Sequence, residues 1–245
     1  ATATWMETAV AGKDQDATGY VADAFAYPEL CFGTVNDPNK RAVQYGEWPF
    51  LQLLADELGL EAVRVYWENV ALYDGWESLE QTLAASGQTV PEFVARYRIK
   101  NLARDYSLAP LFDATVWLEE TITGIGRWTF TGEGIQELGA NYFRFNPRSG
   151  GYYAGIINDN GLLELWAIGV SADTLDAIPL GRGGVVDTTP YSSVYLMVFN
   201  PAYDDDMTDC VYQSYEIDVE QSKSPASAVL FQFPATHFEA LHEGN

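Results

Sequence analysis

Near residue 110 the hydrophobic pattern changes period, and this limits the fold more than any other feature of the sequence. Before it, apolar residues recur at helical spacing. From about residue 139 they come in short runs rich in Tyr and Val. The chain reads as α+β, an N-terminal helical subdomain followed by a C-terminal antiparallel β-sandwich. The divisions fall at 1–110 for the helical part, 111–138 for a connecting segment and 139–245 for the sandwich.

Several helices announce themselves. Trp5 and Met6 lie one turn from Ala9 and Val10, so the opening residues read as a helix without an N-cap of its own, the second half of a longer one. On that reading the chain is a downstream piece of something larger. Residues 11–42 read mostly as connection, an ordered loop carrying Tyr20, Val21, Phe25, Tyr27, Leu30 and Phe32, with a turn at Asn36-Asp37-Pro38-Asn39. Pro49 opens a helix that stops at Gly59, and a second helix follows, making a tight hairpin. Leu79, Leu83 and Ala84 mark a short helix ending at Gly87. Thr89-Val90-Pro91-Glu92 is a capping box for the next one. On that helix Arg96, Lys100 and Arg104 fall four apart, a basic stripe that reads as a solvated face or as a docking face.

Strand-like runs cover Tyr142–Phe145, Tyr152–Ile157, Leu162–Val170, Val194–Phe199 and Val211–Val219. Hairpin turn chemistry sits at Asn158-Asp159-Asn160-Gly161. Content that is 47% hydrophobic and 14% aromatic in 245 residues is ample for a packed core. No apolar run approaches the ~20 residues needed to span a bilayer as a helix.

Charge narrows the partners. With 13 Lys+Arg against 35 Asp+Glu, the net charge of −22 repels nucleic acid and anionic lipid. It suits a secreted, extracellular protein. Cys31 and Cys210 are the two cysteines. They read either as one disulfide joining the halves of the chain, which fits an oxidising compartment, or as two buried thiols. No Cys-based zinc or redox spacing exists.

Two short stretches resemble gluzincin-type zinc metallopeptidases. Ala3-Thr4-Trp5-Met6 matches the end of the E-G-F-A-T-W-M pattern around the third zinc ligand in the aminopeptidase N branch. It is also similar to E-A-T-A-T-W-M-E in a secreted bacterial group. The resemblance puts the ligand Glu immediately before Ala1 and the H-E-x-x-H helix further upstream. Zinc is therefore expected only in a complete protein, with no metal ligand in this chain. Tyr45-Gly46 followed by Leu58-Gly59 resembles the Y-E-K-G element and its helix, without the E-K. Carried over, Tyr45 becomes the one candidate catalytic residue, its hydroxyl stabilising a tetrahedral oxyanion. The plainer reading of Tyr45 is packing at a helix entrance. The partners implied are a missing N-terminal catalytic portion and a peptide or protein substrate.

Other constellations carry less. Asp204-Asp205-Asp206 with Asp209 lacks a calcium-loop spacing and reads as a solvated acidic turn. His237 and His242, the only histidines, lie five apart in a polar tail, whereas a helical zinc pair wants four. Gly181-Arg182-Gly183-Gly184 lacks the Lys-Ser/Thr of a phosphate loop, and Glu119-Glu120 is one acidic pair among many. Three functions follow: the post-ligand part of a secreted zinc metallopeptidase, inactive alone; a non-catalytic extracellular module binding glycan or peptide; and a surface-assembly component.

Overall fold

A computed structural model describes residues 2–12, 15–33, 43–122, 127–145, 151–159, 161–172, 174–204, 210–222 and 231–232. The chain is α+β. Helices come first: α1 (Thr2–Ala11), α2 (Gln15–Ala26), α3 (Val43–Gly46), α4 (Pro49–Leu58), α5 (Leu60–Val70), α6 (Gly75–Ala84) and α7 (Val90–Ala103). Strands follow: β1 (Glu120–Ile122), β2 (Arg127–Ile135), β3 (Ala140–Phe145), β4 (Gly151–Asn158), β5 (Glu164–Val170), β6 (Leu175–Gly181), β7 (Gly183–Asp187), β8 (Ser193–Phe199), β9 (Gln213–Ser222) and β10 (Phe231–Gln232).

Local chemistry sets the helix ends. Pro49 sits in the first turn of α4, where its missing N–H costs nothing, and Gly59 at φ +85° ends α4 and starts α5. At α7 the Thr89 hydroxyl accepts from Glu92 N–H, while the Glu92 carboxylate accepts from Thr89 N–H at 3.0 Å. Thus the capping box is present as read. The reading of residues 11–42 as connection is corrected, because α2 occupies much of it and buries Val21, Ala24 and Phe25. The turn at 36–39 lies outside the described residues.

Among the described residues the strands form two sheets, ordered β1-β3-β8-β5-β6-β10 and β2-β9-β4-β7. Period-2 alternation decides which layer each side chain meets. In β8, Val194, Leu196 and Val198 enter a cluster shared with Tyr215, Ile217 and Val219 of the second sheet. Tyr195, Met197 and Phe199 join the helical core instead. The first sheet therefore lies between the helices and the second sheet. Its pairing is not wholly antiparallel, because β1 runs parallel to β3 (Glu120 opposite Phe143). Both β1 and β2 fall in the stretch read as connection.

Helix α7 is buried on nearly every side. The basic stripe is thereby corrected, being neither a solvated nor a docking face. Lys100 pairs with Asp105 at 2.8 Å in the interior, and Arg104 donates to the Phe112 carbonyl at 3.0 Å. Arg96 reaches Glu57 at 3.2 Å.

Cys31 and Cys210 form a disulfide, their Cα atoms 5.9 Å apart across 179 residues of chain. Gln136 braces both ends: its Oε1 accepts from Cys31 N–H at 2.9 Å and its Nε2 donates to the Cys210 carbonyl at 3.2 Å. A cross-link closing so long a loop removes much unfolded-state entropy. Replacing both cysteines by alanine is expected to cost about 4 kcal/mol, read as a lower urea midpoint with an altered m-value.

Candidate functional site

A cavity of about 380 Å³ opens in the helical layer. Its wall is aromatic, with Phe32, Phe50, Tyr66, Tyr73 and Trp76, and Glu47 stands among them. Phe32, just after α2, stacks on Trp76 with centroids 5.7 Å apart and packs tilted on Phe50 at 4.7 Å. Trp76 comes from the first turn of α6, Phe50 from the first turn of α4, and Tyr66 from α5. Glu47 occupies the turn between α3 and α4. Helices α4, α5 and α6 and the segments beside them thus meet around a single carboxyl group.

Glu47 is almost fully buried. Its Oε2 accepts from Gly33 N–H at 2.6 Å, and its Oε1 accepts from Arg98 Nη2 at a loose 3.4 Å. Burial pushes its carboxyl up to about 7 from 4.5, with the Arg98 charge and the Gly33 N–H pulling in the opposite direction. The Trp76 indole N–H is likewise buried, without a hydrogen-bond partner among the described residues. A carboxyl group that titrates near neutrality and an unsatisfied donor are the polar features an incoming ligand would use. Among the described residues no Lys, Arg or His side chain lines this cavity.

A second recess of about 690 Å³ lies where the two sheets meet, lined by Glu29, Glu119, Phe130, Asn141 and Tyr212. With the Asn141 amide turned to satisfy both ends, it accepts from Tyr215 Oη at 2.7 Å and donates to Glu119 at 3.3 Å. Its polar groups already serve one another, so the helical cavity is the stronger candidate.

The residues singled out in the sequence are scattered. Tyr45 is exposed, its ring 5.4 Å from that of Tyr20, outside the cavity that its neighbours Gln44 and Glu47 line. Gly46 is needed for packing: a Cβ there would sit 1.8 Å from the Tyr20 carbonyl oxygen. Trp5 is a core residue whose indole N–H donates to Gln52 Oε1 at 2.9 Å. Arg182, in the Gly-rich turn between β6 and β7, pairs with Asp159. Asp205, Asp206, Asp209, Asn160, His237 and His242 lie outside the described residues. Among the described residues no three His, Cys, Asp or Glu side chains gather closely enough to hold a metal ion. Glu47 and Trp76 were missed; the signal for Glu47 was a lone carboxylate inside the aromatic run Tyr45 to Phe50.

No family model and no curated protein matches this sequence. Among the solved structures it is similar to are three lysozyme inhibitors. They include the periplasmic inhibitor of g-type lysozyme PliG from Salmonella Typhimurium (17% identity, TM-score 0.31) and a PliG mutant from Escherichia coli (17%, 0.30). PliG from Aeromonas hydrophila is a third (7%, 0.32). The Salmonella match covers 42% of this chain and 98% of that one, the E. coli match 42% and 98%, and the Aeromonas match 42% and 96%.

The gluzincin resemblance is withdrawn on the structure of the two stretches that carried it. Its first stretch is a helix packed through Trp5, and its second is a close contact between α2 and α3. The metallopeptidase function, the missing catalytic partner and the peptide substrate go with it. The oxyanion role of Tyr45 is an implication of that resemblance alone.

The raised pKa of Glu47 has a definite sign. The folded state holds the proton up to about pH 7, whereas the unfolded chain releases it near 4.5. Stability therefore falls as pH rises through that window. The stability difference between wild type and Glu47→Gln, measured by urea unfolding, is expected to drop by about 3 kcal/mol between pH 4.5 and 7 and to be flat beyond.

Proposed function

We propose that this chain is a non-catalytic binding protein of an oxidising, extracytoplasmic compartment, with the helical cavity as its ligand site. The observation that carries the proposal is the aromatic wall, Trp76 included, set around one buried carboxyl group. Its volume falls in the ordinary range for small-molecule and side-chain pockets. Flat aromatic faces suit a sugar ring, an aromatic side chain or a cationic head group. Anions are disfavoured by the net charge of −22. The Cys31–Cys210 disulfide supports the compartment.

Tryptophan fluorescence, with calorimetry behind it, tests the reading against chito-oligosaccharides, Trp- and Lys-containing peptides, and carboxylate analogues of each. At least one neutral or cationic probe is expected to bind with Kd below about 1 mM, and Trp76→Phe to weaken it about fivefold through loss of one hydrogen bond. Equal binding of the anionic analogues, or binding indifferent to Trp76→Phe and Glu47→Gln, would remove the cavity as the site. A g-type lysozyme assay belongs in the same panel. Inhibition that survives both cavity variants would place the binding surface elsewhere.

A further inference from the structure

A cleft of about 490 Å³ lies on the helix-facing side of the first sheet, between the opening turns of α7 and strands β5, β6 and β8. Period-2 alternation puts Glu164 and Trp166 next to each other on that face of β5. In register, Glu164 lies opposite Phe199, and Trp166 lies between Met197 and Pro179. One step along β5, from Leu165 to Trp166, answers two along β6, from Gly181 to Pro179. A bulge of this kind re-aims side chains, and it is a place inside a sheet where a residue without an N–H fits. Pro179 takes that position and lines the cleft beside Trp166, while α7 supplies Pro91 and Ala95 to the other wall.

Among the described residues three charged side chains line this cleft, and two are already engaged. The Glu92 carboxylate accepts from Thr89 N–H at 3.0 Å in the cap of α7. Arg96 donates to Glu57 at 3.2 Å and to Gln88, and its guanidinium lies 5.1 Å from the Phe93 ring. Glu164 is the exception. It is half-buried, and no cation among the described residues pairs with it. The Trp166 indole N–H approaches it without closing a full hydrogen bond. Burial therefore disfavours the ionised form of Glu164 and raises its pKa. A half-buried carboxylate beside an indole ring, in a cavity with room for a ligand, is an arrangement that a cation stabilises through both charge and ring.

We infer that this cleft binds an ammonium group carried on an apolar or aromatic stem, with Glu164 as its counter-ion and Trp166, Phe199 and the proline rings around the stem. A neutral ligand would leave Glu164 uncompensated, and a carboxylate would set like charge on like. The ammonium can come from a free amine or from a lysine side chain of a partner protein. The inference does not rest on the helical cavity, because other elements build this cleft and a different tryptophan reports on it.

Heteronuclear NMR reads the Trp166 indole N–H directly, its cross-peak assigned by Trp166→Phe and that of Trp76 by Trp76→Phe. Phenethylamine is expected to move the Trp166 peak saturably, with Kd below about 1 mM. Phenethyl alcohol, similar in size and uncharged, should bind about tenfold more weakly, and hydrocinnamate should leave the peak where it is. Glu164→Gln, nearly isosteric at a half-buried position, should reduce the amine to the affinity of the alcohol. Retained dispersion of the other cross-peaks establishes that this variant is folded. Should it not fold, the wild-type ranking of amine over alcohol over carboxylate decides. N-acetyl-lysine methylamide separates the sources: tighter binding than phenethylamine assigns the cleft to a lysine side chain, and weaker binding to a free aryl amine. Absence of a saturable shift with either amine, or equal affinity for amine and alcohol in the wild type, overturns the inference. So does an amine preference that survives Glu164→Gln, or a shift confined to the Trp76 peak, which would move the amine to the helical cavity.

Discussion

A single guanidinium holds the layers of this protein together. Arg98, buried in the middle of α7, donates from Nε to the Leu138 carbonyl at 3.0 Å and from Nη2 to the Leu30 carbonyl at 3.2 Å. It lies 5.9 Å from the ring of Phe32 and 5.6 Å from that of Tyr97. Taking such a charge out of water is costly, and it is tolerated because the planar fork meets two carbonyls and the Glu47 carboxyl oxygen at once. The same group thus joins the central helix, the segment after α2, the turn between β2 and β3, and Glu47.

The turn between β2 and β3 is the other half of this joint. Its backbone is paired segment by segment: Gln136 N–H donates to Glu29 O at 2.9 Å, Ala140 N–H to Pro28 O at 2.9 Å, and Leu138 N–H to Asn200 O at 2.9 Å. Asn200, fully buried, returns a bond to the Ile135 carbonyl at 3.3 Å. Leu138 adopts φ +54°, a conformation that side chains rarely take, and it is held there by these neighbours. Buried polar groups satisfied in this way fix one arrangement of the helices on the sheet.

Much of the architecture was legible in the sequence where local signals and tertiary demands agree. The Pro49 and Gly59 punctuation, the Thr89–Glu92 box, and the period-2 runs of β3, β4, β5, β8 and β9 all appear where the pattern puts them. Elements were lost where the local signal is weak. Gly19 sits inside helix α2 and its Ala residues leave few large apolar side chains to mark a period, while β2 carries Gly132 and Gly134 at an irregular register before its end. Proline 179 hides β6. The stripe Arg96, Lys100, Arg104 shows how spacing misleads: four-residue intervals suggest a wet face, but Asp105 and Glu57 arrive from elsewhere to take Lys100 inside. The site was illegible for a related reason. Glu47 and Trp76 are far apart along the chain and become neighbours only because α4, α5 and α6 fold back on one another.

The contact between α2 and α3 bears on how such chains are compared. At residue 46 the backbone of α2 leaves no space for even a methyl group, so every homologue that keeps this approach must keep glycine there. With an aromatic partner for Tyr20 favoured just before it, a Tyr-Gly dipeptide would persist through divergence and look like a signature of chemistry. What it would record is a steric limit between two backbones.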